Sequence, residues 1–162
     1  MLVGVEMITL TIPGHGVLTI AHLLLDVNGC IALDGNLLPG VAERLTALGR
    51  LVSVRLLTAD TQGTAAELAA TLGVDMERVP PSNQASAKAA VARRLGASQL
   101  AAIGNGANDV EMLDVAALGI AVIGPEGASL GALLAADVVV TNIRDALDLL
   151  LKEKRLVATL RR

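Results

Sequence analysis

The 162-residue sequence contains no Phe, Tyr or Trp. Without rings no base can be stacked, which removes the usual platform for single-stranded nucleic acid and the RNA-recognition motif, and no aromatic cage can enclose a methylated ammonium. Positive charge is also thin. Thirteen Lys and Arg face 16 Asp and Glu, for a net charge of −3, and no basic run exceeds two residues. Nothing supplies the phosphate-tracking stripe of a duplex-binding surface, so nucleic acid is set aside as a partner. The single cysteine, Cys30, has no partner for an intramolecular disulfide, which fits a reducing cytoplasm better than a stapled, secreted fold. The first basic residue is Arg44, so the positive start of a signal peptide is missing. The stretch 7–25 carries no acidic or basic residue but His. Pro13-Gly14-His15-Gly16 interrupts it and threonines alternate with apolar residues, so it reads as two strands and not as a membrane span. The expectation is an unprocessed, soluble, cytoplasmic chain with no membrane partner.

What is present is apolar bulk, 53% of residues, in a chain long enough to bury one sizeable core. Short apolar runs alternate with helical periodicity, the α/β signature. Strands are expected over 7–12, 17–25, 51–57, 78–79, 100–103, 120–123 and 138–140, and helices over 39–48, 63–72, 82–95, 108–117, 128–136 and 143–151, with Thr61, Ser82 and Asn142 among the opening residues. Runs such as Val138-Val139-Val140 are apolar on both faces and suit a parallel sheet covered on both sides. The expected fold is one α/β domain over 1–162, a three-layer doubly wound parallel sheet. An N-terminal β-hairpin extension (1–22) precedes the core (23–151), and a C-terminal tail (152–162) follows it. The hairpin is expected to cover a sheet edge, with dimer contacts as its other use.

In such a sheet, ligands bind where strands end at their carboxyl side. Three apolar runs stop on polar residues: Leu23-Leu24-Leu25 on Asp26, Leu56-Leu57 on Thr58, and Ala101-Ala102-Ile103 on Gly104-Asn105-Gly106-Ala107-Asn108-Asp109. Lys88 lies on the helix between the last two. Each residue alone has an ordinary explanation: Asp26 as a turn cap, Lys88 as a solvated helix charge, Gly104-Asn105-Gly106 as a tight turn or half of a dinucleotide fingerprint whose third Gly is replaced by Asp109. Together they describe a phosphoryl site. Asp26, Asp109 and a backbone carbonyl would hold a hard divalent cation such as Mg²⁺. Lys88 would add a point charge, and Thr58 with backbone N–H groups after Asp26 would donate to phosphoryl oxygens. Asp26 would attack phosphorus and form an aspartyl-phosphate.

The segments Asp26-Val27-Asn28-Gly29, Leu57-Thr58-Ala59-Asp60, Lys88 and Gly104-Asn105-Gly106-Ala107-Asn108-Asp109 resemble the four motifs of the haloacid dehalogenase (HAD) superfamily, most closely the phosphorylation domain of P-type ATPases. The likeness extends over roughly 23–151 and includes Gly119-Ile120-Ala121 and Ala135-Ala136-Asp137-Val138-Val139. Thirty-two positions separate Asp26 from Thr58, which leaves no room for the pump's large nucleotide-binding insertion; the resemblance is to the small, soluble, capless P-type ATPase-like phosphatases. It implies a HAD-like Rossmannoid fold and a Mg²⁺ cofactor. It makes Asp26 the nucleophile and first metal ligand, Asn28 a metal ligand through its main-chain carbonyl, and Asp109 the acidic metal ligand. Asn108 supports Asp109, Lys88 is the charge-steadying residue, and Thr58, Ala59 and Gly29 are phosphate donors.

The sequence departs from the family pattern at two places. The residue two after the nucleophile is usually an acid/base Asp and is Asn28, whose amide exchanges no proton near neutral pH. Asn105 stands at a metal-site position where an Asp is usual, which removes a negative charge there. The implied activity is therefore slow phosphohydrolysis or phosphotransfer. The alternative is a non-catalytic phosphate- or phosphoprotein-binding module. Substrates are expected to be phosphorylated small molecules or phosphoproteins, and a homo-oligomer is possible because an open, capless site suits a neighbouring subunit as lid.

Overall fold

The computed structural model describes residues 6–162; the first five residues of the expected N-terminal extension lie outside that range. The chain opens with an antiparallel pair, β1 (Ile8–Ile12) and β2 (Gly16–Ile20), and continues into β3 (His22–Asp26). A small hairpin, β4 (Ala32–Leu33) and β5 (Asn36–Leu37), leads to α1 (Val41–Leu48), β6 (Ser53–Thr58), α2 (Thr64–Leu72) and β7 (Asp75–Arg78). Then follow α3 (Gln84–Leu95), β8 (Leu100–Gly104), α4 (Val110–Val115), β9 (Leu118–Val122), α5 (Leu130–Ala135), β10 (Val138–Val140), α6 (Ile143–Leu151) and α7 (Glu153–Leu160). Single 3-10 turns, Ala97–Gln99 and Ala107–Asp109, flank β8.

Six strands form one parallel sheet in the order β10-β9-β8-β3-β6-β7. The chain builds β3, β6 and β7 outward in one direction, then crosses through α3 to lay β8, β9 and β10 on the other side of β3. That reversal is the topological switch point of a doubly wound sheet. Alternate residues of each strand serve opposite layers, as the two-residue period requires. Leu23, Leu25, Ala101 and Ile103 pack in a core with residues of α1, α2 and α6. Leu24, Leu100 and Ala102 pack with Val91 and Ala92 of α3, Met112 and Leu113 of α4 and Ala132 of α5. The expected three-layer architecture is the one observed.

The run 17–25, expected as one strand, divides at Ala21. The Ala21 N–H donates to the Gln99 carbonyl at 2.8 Å, while the Ala21 carbonyl accepts from Ser53 N–H at 2.9 Å, so the chain leaves the hairpin and enters the main sheet with no turn residue to mark the change. The β1–β2 hairpin does not extend the six-stranded sheet, whose edges are β7 and β10. Its alternate residues Ile8, Leu10, Ile12, Leu18 and Ile20 are buried in the same core as Leu156 of α7, and Arg162 N–H donates to the Pro13 carbonyl at 2.9 Å. Strand β7 lies earlier than expected because it is a polar edge strand. Arg55 of β6 meets Glu77 at 2.9 Å there, so no apolar run announces it. Asn142 opens α6, its side chain accepting Arg144 N–H at 2.8 Å. Thr61 and Ser82 do not cap. An Asx turn, Gln62 N–H to Asp60 Oδ1 at 2.8 Å, delays α2, and Asn83 takes a left-handed φ of 59° before α3 begins.

Helices α1 and α6 are joined by a forked contact: Arg44 Nε and Nη2 donate to Asp148 Oδ1 and Oδ2 at 2.9 and 3.3 Å. Hydrogen bonding from Arg44 holds the Asp148 carboxyl below the usual range, with Lys152 and Arg155 adding to the effect. A carboxyl depressed by folding stabilises the fold above its unfolded pKa, and that contribution is lost as pH falls through the lower, folded value. Asp148→Asn should therefore melt a few degrees below wild type at pH 7, with the gap closing below about pH 4. Thermal melts monitored by circular dichroism across that range check this; a pH-independent gap would mean that the contact acts by packing alone.

Candidate functional site

The switch point places Asp26 between two neighbours. Its strand, β3, lies in the middle of the sheet, with Asp26 beside Leu57 of β6 and Leu25 beside Ile103 of β8. One residue beyond Leu57, β6 ends on Thr58. Beyond Ile103, β8 ends on Gly104, and the loop after it folds into the 3-10 turn that carries Asp109. Lys88 occupies the fifth position of α3 on the buried face shared with Val91 and Ala92, and is 1% exposed. Helical spacing puts 88, 91 and 92 on one stripe, and the small alanines of α3 let the lysine approach the strand ends.

Lys88 Nζ donates to Asp26 Oδ1 at 2.9 Å and to Asp109 Oδ1 at 2.8 Å. Asp109 is fully buried, and its second oxygen accepts the backbone N–H groups of Asn105 at 3.1 Å and Gly106 at 3.0 Å. One ammonium thus serves two carboxylates. Burial, with the charge of Asp109 adding to it, pushes the Asp26 carboxyl from 3.8 up to about 7 against the pull of Lys88. Burial works against the Lys88 ammonium too, but the charges of Asp26 and Asp109 outweigh it and raise its pKa. Burial dominates the Asp26 shift, and the surplus negative charge of two acids around one base raises both groups. Gly104 is required by the same cluster, since a Cβ there would stand 2.5 Å from Asp109 Oδ2.

Asp26, Asn28, Thr58, Ala59, Lys88 and Asn105 line a single cavity of about 350 Å³. Thr58 is buried, and its Oγ1 accepts Asp60 N–H at 3.0 Å, which leaves its O–H proton for another acceptor. Asn108 Nδ2 donates to Gln84 Oε1 at 2.7 Å and ties the Asp109 turn to the start of α3. Asn105 Nδ2 donates to the Gly127 carbonyl at 3.2 Å. The anionic oxygens that line the cavity belong to Asp26, Asp60 and Glu126, with Asp109 buried behind Lys88 and both its oxygens hydrogen-bonded, and no group of three His, Cys, Asp or Glu is assembled among the described residues. That donor set fits a hard ion that keeps waters and phosphate oxygens in its shell, such as Mg²⁺, and the surplus negative charge around Lys88 fits it as well.

Of the sequence-predicted residues, Asp26, Asn28, Thr58, Ala59, Lys88, Asn105 and Asn108 line the cavity, while Asp109 stands buried behind Lys88 and Gly29 has another duty. The Gly29 N–H, expected among the phosphate donors, is already given to the Ala32 carbonyl at 2.7 Å. The dinucleotide alternative loses its basis, because the loop N–H groups that would meet a pyrophosphate are taken by Asp109. Cys30 is fully buried, and burial pushes its thiol well above the ordinary value, with Asp26 and Asp109 adding to the shift, so it is a protonated core residue. Gln84 and Glu126 also line the cavity and were not foreseen. Gln84 sits in the first turn of α3 and Glu126 in a Pro-Glu-Gly turn 100 positions after Asp26, and neither local sequence signals a site.

A family model for haloacid dehalogenase-like hydrolases matches residues 7–116. The chain belongs to this family. An uncharacterized protein of Methanocaldococcus jannaschii is 57% identical over 63 residues, 39% of this chain and 68% of that one. A second from the same organism is 51% identical over 39 residues, 24% of this chain and 89% of that one. The fold matches 3-deoxy-D-manno-octulosonate 8-phosphate phosphatase of Moraxella catarrhalis, solved with magnesium, phosphate and the sugar acid, with TM-score 0.66 and 21% identity over 88% of this chain and 94% of that one. The cobalt-bound enzyme of Haemophilus influenzae gives 0.64 and 17% over 88% and 94%. An apo phosphoserine phosphatase gives 0.67 and 14% over 80% and 98%. Against this HAD fold, the described residues add no cap domain; β4–β5 is the sole strand pair between Asp26 and α1.

In this HAD-like site the charge balance makes opposite predictions for Asp26 and for Lys88. A carboxyl raised by folding weakens the fold when ionised, and that cost is relieved as pH falls from about 7 towards 3.8. With EDTA present, Asp26→Asn should melt above wild type at pH 8 and gain less at pH 5. Lys88→Met strands two buried carboxylates and should lose about 3–5 kcal/mol in urea unfolding at pH 8. Equal stability of all three proteins would contradict the charge account.

Proposed function

We propose that this HAD-like hydrolase is a Mg²⁺-dependent phosphohydrolase that works through an aspartyl-phosphate on Asp26. The observation that carries the reading is the Lys88 clamp. It fixes one oxygen of a cavity-lining carboxylate, and among the described residues no other side chain donates to Asp26. Asp26 would present its second oxygen to phosphorus, forming the O–P bond as the ester P–O bond breaks. The Thr58 hydroxyl and the Ala59 N–H would donate to the phosphoryl oxygens as charge shifts onto them. Lys88 neutralises part of that charge without moving, since both its carboxylate partners are held in place. Asp26, Asp109 and the Asn28 main-chain carbonyl would hold the ion, with Asn105 beside them. The metal, when bound, offsets the negative charge of the phosphoryl group and of the two acids.

Substrate preference follows from what surrounds this cavity. The fold neighbours include phosphatases for a sugar-acid phosphate and for phosphoserine. With no cap and no aromatic side chain, this chain would recognise the phosphoryl group itself and a small polar leaving group.

The test is hydrolysis of a panel of phosphate monoesters with and without Mg²⁺. Wild type should turn over slowly, lose activity in EDTA, and carry acid-stable, hydroxylamine-sensitive phosphate. Asp26→Asn should lose both turnover and label. A wild type with neither would sink the enzyme reading and leave a phosphate-binding module.

A further inference from the structure

Hydrolysis through Asp26 leaves one chemical task without a residue. An alkoxide leaving group needs a proton as the ester bond breaks, and the water that later attacks the aspartyl-phosphate must lose one. The Asn28 amide can do neither. Four titratable side chains line the cavity: Asp26, Asp60, Lys88 and Glu126. Asp26 is the nucleophile, Lys88 is locked between two carboxylates, and Asp60 turns Oδ1 back onto the Gln62 N–H. Glu126 remains.

Its position is built by the fold. Glu126 sits in a tight turn after β9, closed by Gly127 N–H to the Gly124 carbonyl at 2.9 Å. The turn is anchored by Asn105, whose Nδ2 holds the Gly127 carbonyl and whose own carbonyl accepts Ser129 N–H at 2.8 Å. From there the carboxylate lies down on the loop that carries Asn28. Gly29, at φ +75°, leaves room for it: a Cβ there would stand 1.8 Å from Glu126 Oε2, so a side chain at 29 would push the carboxylate aside. Nothing electrostatic explains the posture. Among the described residues no Lys or Arg approaches the Glu126 carboxylate within ion-pair distance, and no side chain or backbone N–H donates to it.

We propose that Glu126 is the acid/base of this site, serving the position next to Asp26 that Asn28 cannot serve; the proposal rests on the Asp26 phosphohydrolase reading. In the first step, the Asp26 oxygen bonds to phosphorus, the ester P–O bond breaks, and the Glu126 carboxylic acid gives its proton to the departing alkoxide, which leaves as an alcohol. In the second, the Glu126 carboxylate takes a proton from water as the water oxygen bonds to phosphorus and the Asp26 O–P bond breaks. Inorganic phosphate leaves, and both acids return to their starting forms.

The experiment compares wild type, Glu126→Gln, Asn28→Asp and the double variant on glycerol 2-phosphate and on p-nitrophenyl phosphate, whose leaving group needs no proton. Glu126 is exposed, so the amide is compatible with the fold. Glu126→Gln should lose ~10²–10⁴-fold on glycerol 2-phosphate. Single-turnover transfer from p-nitrophenyl phosphate to Asp26 should change far less, with phosphate then accumulating on the enzyme. In the Asn28→Asp background the same substitution should cost only a few-fold, because a carboxylate at 28 takes over. Wild-type rates on both esters in Glu126→Gln would overturn the role of Glu126 while leaving the Asp26 reading intact. A wild type that neither turns over nor labels on Asp26 would overturn both.

Discussion

One lysine ammonium shared between two buried carboxylates is the constraint around which this molecule is arranged. The three groups come from different elements: Asp26 from the end of β3, Lys88 from α3, and Asp109 from the turn after β8. Burying any one of them alone would be prohibitive, and burying the three together still leaves charge unbalanced. The fold accepts that imbalance by surrounding it with fixed donors. The loop N–H groups of Asn105 and Gly106 satisfy the far oxygen of Asp109. Among the described residues no buried side-chain nitrogen or oxygen lacks a partner. What remains unbalanced is charge and not hydrogen bonding.

The doubly wound sheet explains why this cluster can form at all. The chain reverses its direction of growth at β3, so the loops after β3 and β8 diverge to opposite layers and leave a crevice between them. α3 bridges that reversal, and its Ala-rich buried face lets Lys88 reach down into the crevice. Gly104 then clears the space that Asp109 fills. The β1–β2 hairpin packs among the residues of α7, away from this edge, and adds apolar surface to one layer of the core. With no aromatic residue available, that core is filled by Leu, Ile, Val and Ala alone, so its layers depend on close approach of small residues more than on large side chains.

Much of this was legible in the residues because it depends on local patterns. Apolar runs that end in Asp26, Thr58 and Gly104 mark strand ends, and a parallel sheet brings strand ends together. Elements whose character is set by tertiary contacts were not legible. β7 is held by ion pairs across to Arg55, so its sequence looks like a loop. The break at Ala21 is made by two backbone hydrogen bonds to distant segments, and no side chain announces it. Gln84 and Glu126 reach the cavity only because α3 and the turn after β9 happen to face it. Gly29 shows the converse: its motif position suggested a phosphate donor, yet its N–H closes the turn onto Ala32, and its lack of a side chain is what the neighbouring turn uses.

That use of Gly29 bears on how such a site could work with an amide at position 28. An acid on the nucleophile's own loop is fixed relative to the phosphoryl group by two residues of backbone. On the turn after β9 it is the backbone that is held, by the Asn105 amide on Gly127, so the placement of an acid there depends on contacts between two loops. Asn105 is also one of the two departures from the family pattern, and in this structure the departure has a physical use. A carboxylate at 105 could not donate to the Gly127 carbonyl and would repel Glu126, whereas the amide donates and is neutral. Asn28 removes an acid from beside the nucleophile, and Asn105 fastens the turn that sets another acid against the adjacent glycine.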